Sequence, residues 1–108
     1  MTIIIKNKET LLIDDFKFKC SVGKRGFSKN KKEGDLKTPI GIFELGDIYY
    51  RTDRVEKPIS KLKTNIIRTN MGWCNDPKSR YYNKLIRIKK NLKFNYEKLY
   101  RKDNKYDF

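Results

Sequence analysis

The sequence contains no histidine, only two cysteines, three prolines and six glycines in 108 residues. Without histidine, the usual zinc sites cannot form, and no imidazole is present to serve as a general base. Cys20 and Cys74 can form one internal bridge at most. With nothing in the sequence pointing to an oxidising compartment, two reduced thiols are expected. No apolar run approaches the roughly 20 residues needed to cross a bilayer. The start, Met1-Thr2-Ile3-Ile4-Ile5-Lys6, has too short an apolar stretch, no basic lead and no small-residue cleavage site, so it does not read as a signal peptide. Acidic residues are also scarce, 13 against 27 Lys and Arg, giving a formal net charge of +14.

The hydrophobic share is 37% and the charged share is also 37%. These proportions predict a thin core and marginal stability. Aromatics reach 13%, with Trp73, seven tyrosines and six phenylalanines, which argues for a folded chain. At this length one domain is the upper bound. The positive charge attracts polyanions at long range, but it is mostly lysine spread along the whole length. Nucleic-acid binding is therefore expected to be non-specific at most, and an anionic wall polymer is an equal candidate. No nucleic-acid-binding module is recognisable. Gly23-Lys24-Arg25 lacks the Gly-Lys-Ser/Thr ending of a phosphate loop, so turn glycines between strands are the better reading.

Short apolar runs separated by turn residues predict a mainly β fold. Ile3–Ile5 and Leu11–Ile13 flank a polar turn and read as a hairpin. Phe16, Phe18, Cys20 and Val22 alternate with Lys17, Lys19 and Ser21, the period of a strand, with Cys20 on its apolar side. A long polar loop runs from Gly23 to Asp35 and ends at Thr38-Pro39, where proline stiffens the entry into an expected strand Ile40–Leu45. Asp47–Arg51, Ile66-Ile67 and Leu85–Ile88 are further strand candidates, and Thr52–Asn65 reads as an irregular excursion. Met71-Gly72-Trp73-Cys74 leads into the turn Asn75-Asp76-Pro77. From Asn95, a candidate N-cap, Tyr96, Leu99 and Tyr100 stand at helical spacing and predict a short C-terminal helix.

Several motifs occur in order. Cys20-Ser21-Val22-Gly23-Lys24-Arg25-Gly26 precedes Lys31-Lys32-Glu33-Gly34-Asp35, which precedes Thr38-Pro39-Ile40-Gly41-Ile42-Phe43. Tyr50-Arg51-x-Asp53-Arg54, Gly72-Trp73-Cys74-Asn75-Asp76-Pro77 with Tyr82-Asn83, and Glu97-x-Leu99-Tyr100-Arg101-x-Asp103 follow. From about Phe16 to Phe108 this series resembles a subgroup of the YkuD-type L,D-transpeptidase domains.

The resemblance implies a β-sandwich or barrel-like sheet with long loops, an enzyme of the cell envelope, and peptidoglycan stem peptides as substrate. It implies no metal and no organic cofactor. In that family a cysteine in a Gly-Cys element attacks the carbonyl between an L-centre and a D-centre, releases the terminal D-residue, and passes the acyl group to an amine. A histidine upstream activates the cysteine, and backbone N–H groups hold the oxyanion. In the subgroup these residues come after the position of Phe108. Residues 1–108 are therefore expected to form one partial L,D-transpeptidase-like domain, inactive alone, with the remainder beyond this stretch or on another chain. No family catalytic residue maps onto this sequence.

The residues that do map are candidates for a substrate-side scaffold. Glu33, Asp35 and Thr38, with Gly34 and Pro39, match the loop before the hairpin; Arg51, Trp73, Asp76, Tyr82 and Asn83 match the subgroup motifs. Arg51 suits either a stem-peptide carboxylate or a pair with Asp53 or Asp76, because a planar guanidinium grips a carboxylate with two prongs. Trp73 reads as core rather than as a sugar platform, and neither cysteine as a nucleophile.

Overall fold

The computed structural model describes residues 1–108 and contains ten strands and no helix. The chain divides into two compact units, Met1–Phe43 and Glu44–Phe108.

In the first unit, β1 (Ile3–Ile5), β2 (Thr10–Ile13) and β3 (Phe16–Lys19) form an antiparallel meander in that order. Ile13 pairs with Phe16 across a two-residue turn, and Asp14 takes a left-handed φ of 50° there, a conformation its short polar side chain tolerates. The strand period is as the sequence predicts, but β3 stops at Lys19, and Phe16 and Phe18 are exposed. Cys20 lies just past the strand, half-buried. β4 (Phe27–Ser28) and β5 (Thr38–Pro39) then pair in parallel and close the basic loop at its base.

The expected strand Ile40–Leu45 does not form. Ile40, Ile42, Phe43 and Leu45 are all exposed, and β5 ends at Pro39. The Ile40 N–H still donates to the Ser28 carbonyl at 2.9 Å, but apolar residues beyond it do not make a strand without a partner for their backbone groups.

The second unit holds every well-buried apolar side chain of the protein: Tyr50, Ile67, Cys74, Ile86 and Leu99. β6 (Ile48–Tyr50) pairs in parallel with β7 (Thr64–Ile66). β8 (Met71–Cys74) is the central strand of an antiparallel sheet of order β10-β8-β9, with β9 at Leu85–Arg87 and β10 at Tyr96–Lys98. The stretch expected to lead into a turn is thus the middle of a sheet, and Gly72 is what allows it. A Cβ there would lie 3.0 Å from the Glu97 carbonyl oxygen and 3.2 Å from Ile88 and Tyr96 side-chain carbons.

The expected C-terminal helix is also absent. Tyr96, Glu97 and Lys98 pair with Cys74, Trp73 and Gly72, and the Leu99 N–H donates to the Met71 carbonyl at 3.1 Å. A three-residue apolar spacing fits a helix and a strand edge alike over so short a stretch, and long-range pairing decides between them. The fold is mainly β, in four small sheets, and no barrel closes.

Candidate functional site

Asp35 organises the basic loop of the first unit. Its Oδ1 accepts from Lys31 Nζ at 2.6 Å and from the Lys37 N–H at 2.9 Å, and its Oδ2 accepts from the Lys32 N–H at 2.8 Å. The hydrogen bond from the Lys31 ammonium, followed by that from the Lys32 N–H, holds this carboxyl far below the usual carboxylate range. Thr38 fixes the loop's far end. Its Oγ1 accepts from the Gly23 N–H at 2.8 Å, while its own N–H donates to the Gly26 carbonyl at 2.8 Å. Gly23 has to be glycine, since a Cβ would fall 2.3 Å from the Leu36 carbonyl oxygen. Glu33 is exposed on the same loop, next to Gly34 with its φ of 75°.

In the second unit, Trp73 and Asn83 come together. The indole Nε1 donates to Asn83 Oδ1 at 3.1 Å, and Asn83, at φ 61°, donates its own N–H to the Cys74 carbonyl at 2.8 Å. Trp73 is half-buried on β8. Asp76 Oδ1 accepts from the Lys78 N–H at 3.0 Å, and its Oδ2 accepts from the Asn95 N–H at 3.2 Å, so one carboxylate closes the excursion that carries β9. The Tyr82 N–H donates to the Ser79 carbonyl within that excursion.

Arg51 lies elsewhere, in a cluster the candidate set only touches. Its side chain is 3% exposed. Nε and Nη2 grip Asp53 at 2.8 and 2.7 Å, Nη1 donates to the Arg101 carbonyl at 2.7 Å, and the guanidinium lies 3.6 Å from the centroid of the Tyr100 ring. Of the two pairings open to Arg51, the structure forms the one with Asp53. Arg101 grips Asp103 in the same way, at 2.8 and 2.5 Å. Each arginine's hydrogen bonds hold its aspartate at about 2, and each aspartate raises its arginine in return. Arg54 completes the cluster by donating to the Lys102 carbonyl at 2.9 Å, to the Asp103 carbonyl, and to Asp107 Oδ1 at 3.0 Å. Tyr106 donates its hydroxyl to Glu97, which raises the phenol's pKa.

A shallow hollow beside this cluster is lined by Asn75, Tyr96, Glu97, Tyr100 and Arg101 among others, and the buried Asn75 Oδ1 has no hydrogen-bond partner. Cys74 is fully buried; Cys20 Sγ lies 4.0 Å from the Asn7 carbonyl oxygen.

Residues 1–106 match the YkuD family model, described as the L,D-transpeptidase catalytic domain. The chain belongs to the YkuD family. No curated protein and no solved structure matches it. The YkuD match begins at residue 1, ahead of the Phe16 from which the resemblance runs, and so takes in the β1–β3 meander.

Within this YkuD chain, the candidate residues fall into three separate groups: Glu33, Asp35 and Thr38 on the loop, Trp73, Asp76, Tyr82 and Asn83 around β8, and Arg51 in the arginine cluster. Sequence reasoning misses Asp53, Tyr100, Arg101, Asp103 and Asp107 as a linked set. A signal for it is present, since Tyr50-Arg51-Thr52-Asp53 and Tyr100-Arg101-Lys102-Asp103 share the pattern Tyr-Arg-x-Asp. The two copies interlock through the Arg51 side chain.

Proposed function

We propose that residues 1–108 supply substrate-side scaffold for L,D-transpeptidation, the cross-linking of peptidoglycan stem peptides, and that they carry no acyl transfer by themselves. The observation that carries this reading is the YkuD match over residues 1–106 in a chain without histidine. Cysteine acyl transfer needs a thiolate and a base to make it. Here Cys74, on β8, is fully buried, and Cys20 has a backbone carbonyl as its hydrogen-bond partner. The nucleophile and its histidine would then come from residues outside these 108, on this polypeptide or another. The scaffold's part is positioning: the shallow hollow lined by Asn75, Tyr96 and Glu97 offers a surface along which a stem peptide can lie.

The test is to assay residues 1–108 alone, and again fused to the C-terminal part of a homologous YkuD domain, for release of the terminal D-residue from a tetrapeptide stem. Turnover by the fusion alone is the expected result, with a raised KM in an Asn75→Ala fusion. Release by residues 1–108 that disappears in Cys74→Ser or Cys20→Ser would overturn the reading.

A further inference from the structure

We infer that the apolar face of the β1–β3 meander is the docking surface for the part of the catalytic domain that brings the nucleophilic cysteine and its histidine. This rests on the reading above, that both come from residues outside these 108. Strand pairing fixes which side chains share the face. Ile3, Ile13 and Phe16 stand opposite one another across the three strands, and so do Ile5, Leu11 and Phe18. Successive residues of a strand point to opposite sides of a sheet, so positions two apart share a side and these six lie together. All six are apolar, and Phe16 is 69% exposed, Phe18 50%, Ile5 44% and Ile3 41%.

Three observations say what covers this face. The YkuD match takes in the whole meander, which makes it part of the catalytic domain rather than an appendage to it. A domain packs its layers around a hydrophobic core, yet the unit that carries the meander buries no apolar side chain. Nothing within residues 1–108 closes over Phe16 and Phe18. The cover therefore belongs to the portion of the domain that carries the thiol and its base, and a second layer about 10 Å away is the usual cover for an apolar sheet face.

Two other covers fit less well. A second copy of the chain brings another formal charge of +14, which opposes association. Two phenylalanines and four aliphatic neighbours offer on the order of 500 Å² per copy, so a pair reaches only the lower edge, about 1,000 Å² in total, of what a stable free dimer needs. A lipid surface suits the face no better. Lys17 and Lys19 stand on the opposite side of the sheet with Ile4 and Leu12, so the rings that would enter a bilayer and the cations that would meet its headgroups point apart.

The experiment sets residues 1–108 alone beside their fusion to the C-terminal part of a homologous YkuD domain. Hydroxyl-radical footprinting read by mass spectrometry reports the exposure of each ring. Phe16 and Phe18 are expected to oxidise at least about 5-fold more slowly in the fusion, while Tyr81, exposed in the second unit, changes less than about 2-fold. Urea midpoints give an independent measure. F16T/F18T keeps good strand formers, so it should leave residues 1–108 nearly unchanged but lower the midpoint of the fusion by about 1 M or more, and K17T/K19T on the opposite side should alter neither. Equal oxidation of both rings in the two proteins would overturn the docking surface, and turnover by that same fusion would leave the functional reading standing. Protection in a fusion without turnover would do the reverse. Protection of residues 1–108 alone that grows with concentration to the level of the fusion would give the face to a second copy. Protection only on adding phosphatidylglycerol vesicles would give it to a lipid, and either result overturns the assignment.

Discussion

The guanidinium of Arg51 is held between the carboxylate of Asp53, which it grips through two nitrogens, and the ring of Tyr100, whose centroid lies 3.6 Å away. Three separate partners, counting the Arg101 carbonyl, thus fix one side chain and join the turn after β6 to the segment after β10. Arg101 makes the same two-pronged pair with Asp103 but is 32% exposed, against 3% for Arg51.

This difference in burial sets the first prediction. Arg51→Lys keeps the charge but has no planar fork with which to bridge Asp53 and the Arg101 carbonyl. It should lower Tm by roughly 5–15 °C, whereas Arg101→Lys should change Tm by less than about 3 °C. Parallel thermal melts of the two variants check the ranking, and equal shifts would contradict it.

Acid should loosen the protein over a defined range. Asp53 and Asp103 sit at about 2 in the folded protein, down from 3.8, and Asp35 is lowered as well. A carboxyl whose folded pKa is depressed adds stability that is complete above its unfolded pKa and is lost as pH falls through the folded one. Urea midpoints should therefore be level above about pH 5 and decline between about pH 4 and pH 2. In a combined Asp53→Asn, Asp103→Asn variant the starting stability should be lower and the decline shallower. An unchanged slope in that variant would remove these pairs from the explanation.

Two glycines should respond in opposite ways to a methyl group. Gly23→Ala places a Cβ against the Leu36 carbonyl, where the neighbour is backbone and has little room to shift, and should cost about 2–3 kcal/mol. A methyl group at Gly46 would meet no atom within 4 Å, so Gly46→Ala should be neutral or stabilise by up to about 1 kcal/mol. Urea unfolding of both variants provides the comparison.

Thiol accessibility gives the last prediction. Cys74 is fully buried on β8 and Cys20 is half-buried, so iodoacetamide should modify Cys20 at least about 100-fold faster under native conditions. Mass spectrometry of timed samples separates the two sites. Comparable rates would mean that β8 opens readily.

Much of the strand content is legible in the sequence because β1, β2, β3, β6 and β9 carry Ile, Leu, Phe and Tyr, which favour extended chain wherever they find a partner, whereas β7 meets its expected position only at Ile66, with Thr64 and Asn65 in the stretch read as irregular. β8 is illegible for a local reason: Met71-Gly72-Trp73-Cys74 carries a glycine, which weakens a strand in isolation, and its value comes only from the close approach of Glu97 and Ile88. The C-terminal segment misleads for the complementary reason, since Tyr96, Leu99 and Tyr100 suit a helix until the edge of β8 becomes available. The candidate residues are visible as types, but their division among a loop, a sheet and an arginine cluster depends on hydrogen bonds between residues 50 or more positions apart, as for Arg51 with Arg101 and with Asp107.

β6 and β7 run in parallel, and the chain between them, residues 51–63, returns to the start of the sheet without a helix. After the Arg51–Val55 turn most of this connection is exposed, with Pro58 and Leu62 half-buried and Ile59 fully exposed. Register is set by the pairing of Ile48 with Thr64 and Tyr50 with Ile66, not by the length of what joins them. Because closing a loop becomes only about 0.6 kcal/mol more costly each time its length doubles, the stretch around Ile59 is a permissive point at which an epitope or reporter peptide can be spliced in while both strands keep their places.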